Sequence, residues 1–321
     1  MKKYITNESK HCFYGNVSNI LNYYNIHINE AELVLLSNIM NGEYVENGIV
    51  QYIGFPNEKC SIGLHRIGCE IKYIKNKIHF FELLSKDVPI LFKIQSQVLN
   101  YNNIYLTGSS RKHYIVAIRC CENSVYISDS FTQSFAQSTY QGNIDSDVIC
   151  RQFDNKQASG IAIIPGNNTE KNYEKDKAYL TTLLDEYIQD NISNCQGSIC
   201  KLINKYCRYA LENASSIMIA NHLEEMAYQL KFSGFLSRLD YLIQLFSYVY
   251  KVSEEITEEL NYLKKQWNIV VNKLRKCCIT QNFDYYNNIF MINIPHLLEI
   301  EFSLYKRIAN FRGIKDVRIN R

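Results

Sequence analysis

The sequence is poor in proline and glycine, with 4 and 13 residues among 321. So few chain-breaking residues exclude collagen-like, proline-rich and linker-dominated architectures. Charged residues make up 21% of the chain and nearly balance, leaving a formal net charge of +3. This balance argues against intrinsic disorder and against a broad nucleic-acid-binding surface. The hydrophobic fraction of 46% is ordinary for a globular protein with a sizeable core.

Long apolar runs are also missing, so we expect no membrane-spanning segment. The basic residues Lys2 and Lys3 are not followed by an apolar stretch, which is unlike a signal peptide. The 11 cysteines are therefore expected to be free thiols in a reducing, cytoplasmic compartment. They form no CxxC pair, and no HxxxH motif accompanies them, so we expect neither a metal site nor another cofactor.

The two halves of the chain follow different patterns. Residues 1–165 mix helical spacing with strand-like apolar runs at 90–94, 113–118, 125–128 and 159–164. Because these strands follow helices instead of alternating with them, the pattern predicts an α+β domain. Residues 166–173 are polar and are predicted to be a linker. Residues 174–321 carry helical stripes of Leu, Tyr and Ile, which predict a bundle of about five helices.

One cysteine near the N terminus has the setting of a nucleophile. Apolar residues at helical spacing follow Cys12, so we expect a helix that begins there. The exposed amides and the dipole of a helix N terminus stabilise a thiolate. A second helix is expected after Asn29, whose side chain can cap it.

His113 opens an apolar strand, and Asp129 closes the next strand of a predicted hairpin. A turn of two or four residues would place their side chains on opposite faces, so an odd turn or a β-bulge is required. With that condition met, Asp129 can orient the imidazole. His113 can then take the proton of Cys12 and later donate one to a leaving group.

This layout resembles papain-like cysteine enzymes, especially the bacteriocin-processing C39 peptidases. It is more similar still to the butirosin-biosynthesis acyltransferase family, in which a His-Cys dipeptide opens a helix with a downstream Asn and Leu before a hydrophobic-Asn/Ser-Glu step. The corresponding residues here are His11-Cys12, Asn19, Leu21 and Asn29-Glu30. The resemblance spans residues 8–165 and implies a papain-like (C39-like) catalytic domain over 1–165, with a helical C-terminal domain. The glycine-rich segment of the family is reduced here to residues 41–44, which leaves the substrate open.

The resemblance implies transfer of an acyl group from a carrier-protein thioester, through acyl-Cys12, to an amine or diamine in natural-product biosynthesis. No GxxxxGK[ST] loop occurs in the sequence, which fits a pre-activated donor better than activation by ATP. The helical domain would then exclude water from the acyl-enzyme, or it would be a structural or dimerisation module. The expected partners are a carrier protein and a small amine, with no nucleic acid and no membrane.

An oxyanion would be stabilised by the backbone amide of Cys12 and by one side-chain donor. Papain-like enzymes use a glutamine a few residues upstream of the nucleophile, and this chain has none there. We therefore consider Asn7, Asn16 and Asn19 as candidates, and the hydroxyls of Tyr4 and Thr6 stay open as well.

Two other functions are compatible with the same residues. A peptidase or acyl-thioesterase would use the same triad with water as the acceptor. An inactive papain-like module would bind a peptide or carrier protein without chemistry. Basic pairs such as Lys264-Lys265 would suit docking of an acidic carrier protein, or would simply face solvent. The sequence does not indicate an oligomeric state.

Overall fold

The structure, a computed structural model, describes residues 3–47, 50–107, 111–134, 137–167, 169–193, 204, 216–280 and 288–314. The chain divides into two compact units. The first combines Met1–Ser37 with Asn57–Asp176, and the second combines Asn38–Pro56 with Lys177–Arg321. The first unit contains both helices and a sheet, which confirms the α+β class.

The strands of the described residues form a hairpin and a six-stranded sheet. The hairpin pairs β1 (Glu43–Asn47) with β2 (Val50–Gly54). The sheet strands are β3 (Cys69–Ile74), β4 (Ile90–Gln95), β5 (Lys112–Cys121), β6 (Ser124–Asp129), β7 (Tyr140–Asp145) and β8 (Ser159–Pro165). They lie in the order β3-β8-β4-β5-β6-β7, and every neighbouring pair is antiparallel.

Helices of the first unit pack on both faces of this sheet. They are α1 (Cys12–Tyr23), α2 (Glu30–Leu36), α3 (Cys60–Arg66), α4 (Lys77–Leu84), α5 (Asn103–Thr107) and α6 (Ser146–Asp154). One face of the sheet meets α4 and α6 in an aromatic cluster of Phe80, Phe92 and Phe153, all buried. Burial of such large apolar rings is a main source of stability for this half of the molecule.

The first two helices begin and pack as their residues predict. Helix α1 starts at Cys12, with Phe13 and Val17 among its buried residues. Helix α2 begins with a capping box. The Asn29 side chain accepts a hydrogen bond from the amide of Glu32, and the Glu32 carboxylate accepts one from the amide of Asn29. The predicted cap at Asn29 is therefore confirmed.

The second unit contains the long helices. Among its described residues, the helices are the greater part of α7 (Thr169–Ile192), α8 (Ser216–Phe232), α9 (Ser237–Leu245), α10 (Glu254–Thr280) and α11 (Ile294–Arg312). Two π-helical turns, Phe246–Tyr250 and Ile289–Asn293, adjoin them. No helix in the described part of the chain is long and apolar enough to cross a membrane.

Two predictions about organisation need correction. The segment 166–173 is not a simple linker, because helix α7 begins at Thr169 within it. The described residues of 174–321 form helices joined by short connections, as predicted. The second unit also includes residues 38–56 with the β1-β2 hairpin, which the prediction placed in the first domain. In this hairpin the amide of Ile53 donates to Gln229 Oε1 of α8 over 3.0 Å. Long-range contacts of this kind leave no signal in local periodicity. Within the predicted helical domain, residues 194–203, 205–215, 281–287 and 315–321 lie outside the described residues.

Candidate active site

The thiol of Cys12 stands at the first position of α1, where backbone amides have no partner within the helix. The preceding residue, His11, is the N-cap and accepts a hydrogen bond from the amide of Phe13 through Nδ1 (3.2 Å). Burial, and then the charge of His113, lower the pKa of His11 from 6.5 to about 4. His11 is therefore neutral at neutral pH, and its Nδ1 caps the start of α1.

A β-bulge brings His113 and Asp129 to one face of the β5-β6 hairpin. Next to the two-residue turn, Arg119 lies opposite Tyr126, so an odd-numbered residue faces an even-numbered one. Beyond the bulge, Ala117 lies opposite Ile127, so odd-numbered residues face odd-numbered ones. Because opposite residues share a face and faces alternate along each strand, His113 and Asp129 come to the same side. The sequence required an odd turn or a β-bulge, and the structure has a two-residue turn with a β-bulge at Ile118.

The three predicted residues Cys12, His113 and Asp129 meet. His113 Nε2 donates to Asp129 Oδ2 over 2.9 Å, and both side chains are buried. The Cys12 side chain hydrogen-bonds to the same imidazole. Since Nε2 is engaged by the carboxylate, Nδ1 is the ring nitrogen left for the thiol. Cys12 itself is partly exposed, so one end of this buried chain of contacts is accessible.

The electrostatics of the pair favour a charged imidazole. Burial opposes the charge on His113, but the Asp129 carboxylate and then Cys12 outweigh it and raise the pKa of His113 from 6.5 to about 10. Burial likewise opposes ionisation of Asp129, yet the charge of His113 and hydrogen bonds from His113, the Phe131 amide and the Tyr101 hydroxyl hold the pKa of Asp129 below 3.8. An imidazolium held beside the thiol stabilises a thiolate, which is the nucleophilic form of cysteine.

Two tyrosines that the sequence analysis did not single out complete the surroundings of the carboxylate. Tyr101 donates to Asp129 Oδ2 over 2.8 Å. The Tyr105 hydroxyl donates to the same oxygen over 3.1 Å and lies 3.0 Å from His113 Nε2. The amide of Phe131 donates to the other carboxylate oxygen over 3.0 Å. Two tyrosines four residues apart and just upstream of the His113 strand are the one signal that would have suggested this role.

The segment that leads into Cys12 is anchored on both sides. The amide of Ser9 donates to the carbonyl of Ser130, next to Asp129, over 3.0 Å, and the two hydroxyls lie 2.9 Å apart. The amide of Lys10 donates to the Glu30 carboxylate over 2.9 Å. Gly15 permits this approach, since a Cβ there would lie 2.0 Å from that of Ser9. These contacts place the start of α1 against the end of β6.

The three asparagines proposed as oxyanion donors make other contacts in this structure. Asn16 donates through Nδ2 to the carbonyls of Cys12 (2.7 Å) and Tyr114 (2.9 Å), and so ties α1 to the residue after His113. Asn7 and Asn19 bond to each other, with Asn7 Nδ2 3.1 Å from Asn19 Oδ1. Asn19 Nδ2 in turn donates to the carbonyl of Asn7 over 3.0 Å. Asn16 and Asn19 thus position the chain around the thiol, and the identity of the side-chain oxyanion donor stays a prediction.

The hydroxyl candidates differ from each other in their surroundings. The Thr6 hydroxyl lies 2.6 Å from that of Ser128. The Tyr4 hydroxyl is buried and has no hydrogen-bond partner within the described residues. Burial raises the pKa of Tyr4 well above 10, so it remains a neutral donor.

Comparison with known proteins gives few matches. No protein-family model matches the chain, and no curated protein matches it. Among solved structures, the chain is similar to the peptidase domain of Streptococcus ComA, a bi-functional ABC transporter involved in a quorum sensing pathway. That match covers 51% of this chain and 100% of the ComA domain, at 16% identity and a TM-score of 0.35. The chemistry of the site is therefore derived from its own residues.

Proposed function

We propose that this chain is a cysteine-dependent acyltransferase that forms an amide bond through an acyl-Cys12 intermediate. The observation that carries the proposal is the contact of a partly exposed thiol, at a helix N terminus, with an imidazole whose other nitrogen is held by a buried carboxylate. This is the arrangement that activates cysteine as a nucleophile toward acyl groups. It also disfavours an inactive binding module, which has no need of a buried His–Asp pair beside a thiol.

The first step forms the acyl-enzyme. The Cys12 thiolate attacks the carbonyl carbon of a thioester, and the negative charge that develops on oxygen meets the Cys12 amide at the start of α1. The bond between that carbon and the donor sulfur then breaks. The donor thiolate leaves with the proton of the His113 imidazolium, so the products are acyl-Cys12, neutral His113 and a free donor thiol.

The second step transfers the acyl group. Neutral His113 takes a proton from an amine as its nitrogen attacks the acyl carbon, and the bond from that carbon to Cys12 sulfur breaks. The products are an amide, the Cys12 thiolate and the His113 imidazolium, which restores the starting state. Overall, a thioester and an amine give an amide and a thiol, with no net gain or loss of protons.

The donor and acceptor classes follow from the sequence resemblance and from energetics. A thioester is already activated, which suits a chain without a phosphate-binding loop. Within the butirosin-type family, the sequence looks most like the cysteine-protease-like amide synthase of closthioamide biosynthesis, where a carrier-bound acyl chain is joined to a diamine. We therefore propose an acyl or peptidyl carrier protein as donor, a small amine or diamine as acceptor, and a cytoplasmic role in natural-product (antibiotic) biosynthesis.

The test is to follow acyl-Cys12 by intact mass spectrometry after mixing the protein with an acyl-loaded carrier protein, with and without a diaminoalkane. We expect an adduct that requires Cys12 and is discharged by the amine at least about tenfold faster than by water. Cys120→Ala, which removes an exposed thiol elsewhere in the first unit, is the matched control and should form the same adduct.

Three outcomes would contradict the proposal. Rapid turnover without any amine would identify a hydrolase, either an acyl-thioesterase or, with peptide substrates, a peptidase that uses the same triad. Binding of the carrier protein without an adduct would identify a non-catalytic module. Equal labelling of the Cys12→Ala variant would show that the nucleophile is another residue.

A further inference from the structure

A cavity of about 270 Å³ lies within the first unit, between helices α1 and α3 and one face of the sheet. Four adjacent strands, β3, β8, β4 and β5, form its floor. Its volume is at the lower end of the range for small-molecule pockets, so it suits a short chain or a single ring better than an extended peptide.

The residues that directly follow Cys12 and His113 in the sequence line the cavity, while Cys12 and His113 themselves are not among its lining residues. Phe13, directly after Cys12, and Tyr114, directly after His113, both line it. Their rings pack edge to face with centroids 4.9 Å apart. Asn16 also joins the backbones of Cys12 and Tyr114, so this wall of the cavity and the Cys–His pair are held by the same contacts.

The walls of the cavity are mainly aliphatic and aromatic. Besides Phe13 and Tyr114, its apolar lining residues are Val17, Leu64, Ile71, Tyr73, Ile74, Leu91, Ile161 and Ile163. Such a surface gains free energy by taking up apolar groups from water, at roughly 25 cal/mol per Å² buried. The cavity therefore favours a hydrocarbon segment over a polar one.

Charged residues interrupt this apolar lining, and Lys93 is the half-buried one among them. Lys93 of β4 lies between Tyr114 and Ser159 in the register of the sheet and is half-buried, with its ammonium 5.7 Å from the centre of the Tyr114 ring. Within the described residues no carboxylate lies within ion-pair distance of Lys93. Burial and the nearby Lys112 lower the pKa of Lys93, and the exposed Glu58 acts in the opposite direction. Lys75 and Glu58, both exposed, also line the cavity, so its charged side chains are two lysines and one carboxylate and their net charge is positive.

We infer that this cavity binds the acyl chain of the donor, and that the preferred chain is aliphatic with a terminal carboxylate that pairs with Lys93. This inference rests on the proposed acyl transfer and adds the class of the acyl group. The aliphatic segment lies along the apolar walls, while the carboxylate meets a half-buried ammonium that lacks an ion pair within the described residues. Recognition of the acyl chain in this way involves no residue of the Cys–His–Asp triad.

The experiment compares pantetheine thioesters in pairs matched for length: succinyl with butyryl, adipoyl with hexanoyl, and suberoyl with octanoyl. We measure the rate of Cys12 acylation by intact mass. One of the dicarboxylic chains should react about tenfold faster than its neutral partner, the size expected of one partly exposed charge-assisted hydrogen bond. Lys93→Met should abolish this preference and leave the rates of the neutral chains within about twofold of wild type.

Lys72→Met is the matched control. Lys72 is an exposed lysine of β3 that points to the opposite face of the same sheet, since side chains alternate along a strand and Ile71 and Tyr73 line the cavity. The control removes the same charge from the protein but should keep the full preference for the dicarboxylic chain. Loss of the preference in both variants would show a general effect of net charge and would overturn the assignment of Lys93.

A second readout separates this inference from the proposed function. Binding of the same thioesters to Cys12→Ala, measured by ligand-observed NMR, needs no chemistry. A carboxylate preference in binding that Lys93→Met removes supports the site even if no acyl-enzyme forms, which would contradict only the proposed function. Equal acylation and equal binding of both chains of every pair would overturn the site while leaving acyl transfer intact.

Discussion

Within the described residues, each unit contains a buried charged pair that hydrogen-bonds to two tyrosines. In the first unit, His113 and Asp129 lie 2.9 Å apart, and Tyr101 and Tyr105 both donate to the carboxylate. All of these contacts converge on one oxygen, Asp129 Oδ2. The cluster then continues through the imidazole to Cys12, which is partly exposed.

In the second unit, the pair is Arg238 and Glu301, which are 0% and 2% exposed. Arg238 Nη2 donates to Glu301 Oε2 over 3.1 Å, and Nη1 donates to the hydroxyls of Tyr187 (3.2 Å) and Tyr305 (2.8 Å). The partners of this ion pair come from helices α7, α9 and α11. The cluster therefore links helices of the bundle.

The comparison shows that a buried charge network does not by itself make an active site. Both clusters contain groups with shifted pKa values. In the second cluster, burial opposes the charge on Arg238, but Glu301 and the two tyrosines raise the pKa of Arg238. What distinguishes the first cluster is a reactive atom, the sulfur of Cys12, at its accessible end. The first cluster is arranged for proton transfer, and the second for holding helices together.

The largest expected effect comes from removing the reactive atom. Cys12→Ala should lower the rate of acyl transfer by at least about a thousandfold, because no other group can form the acyl-enzyme. The thermal midpoint should stay close to that of wild type, since the thiol is only partly buried. Steady-state amide formation and a melting curve test both parts. An unchanged rate would move the site elsewhere in the protein.

A substitution in the second cluster should lower the stability of the protein without changing the rate of acylation. Glu301→Gln leaves the buried Arg238 charge without its partner, so we expect a loss of about 3–5 kcal/mol in the free energy of unfolding, measured in urea. The rate of Cys12 acylation, measured where the variant is still folded, should not change. A parallel loss of acylation rate would mean that the Arg238–Glu301 pair belongs to the reaction.

The stability that the His113–Asp129 pair contributes should depend on pH. The pKa of His113 is raised from 6.5 to about 10, so the contribution of its charge is complete below pH 6.5 and is lost as the pH rises through 10. Because the pKa of Asp129 is lowered from 3.8, its contribution is present above pH 3.8 and is lost as the pH falls further. The difference in unfolding free energy between wild type and Asp129→Asn should therefore be largest between pH 3.8 and 6.5. A difference that does not shrink toward pH 10 would contradict the charged pair.

The smallest effect is expected from the tyrosines. Tyr105→Phe removes a hydroxyl that contacts both His113 and Asp129, and we expect acylation to slow by about three- to tenfold, the range of one or two net hydrogen bonds. The pKa of His113, followed by NMR, should shift as well, which a purely structural role would not cause. Tyr101→Phe, which removes a contact to Asp129 alone, should slow the reaction less. An equal effect of both variants would argue against a direct role for the Tyr105–His113 contact.

The parts of the site that could be predicted are those with local signals. Apolar spacing after Cys12 indicated the start of α1, and the parity of the hairpin required a bulge between His113 and Asp129. The position of that bulge, at Ile118, depends on packing across the sheet, and no local sequence pattern indicates it. Tyr101 and Tyr105 were not predicted, because the segment 101–105 and the end of β6 meet only in the folded chain.

The domain boundaries were harder to predict for the same reason. Residues 166–173 have the composition of a linker, but helix formation depends on neighbouring turns and α7 begins within that segment. The β1-β2 hairpin lies between elements of the first unit in sequence, yet it contacts α8 through Ile53 and Gln229, which are 176 residues apart. Separations of this size are invisible to any local pattern.

The most direct test of the central claim is to locate the acyl group. The protein is reacted with an acyl-loaded carrier protein, quenched, digested and mapped by mass spectrometry, which distinguishes all 11 cysteines. The account predicts acylation on the peptide that carries Cys12, loss of that label in His113→Ala, and release of the label as an amide when an amine is added. Label on another residue, or equal labelling of Cys12 without His113, would contradict it.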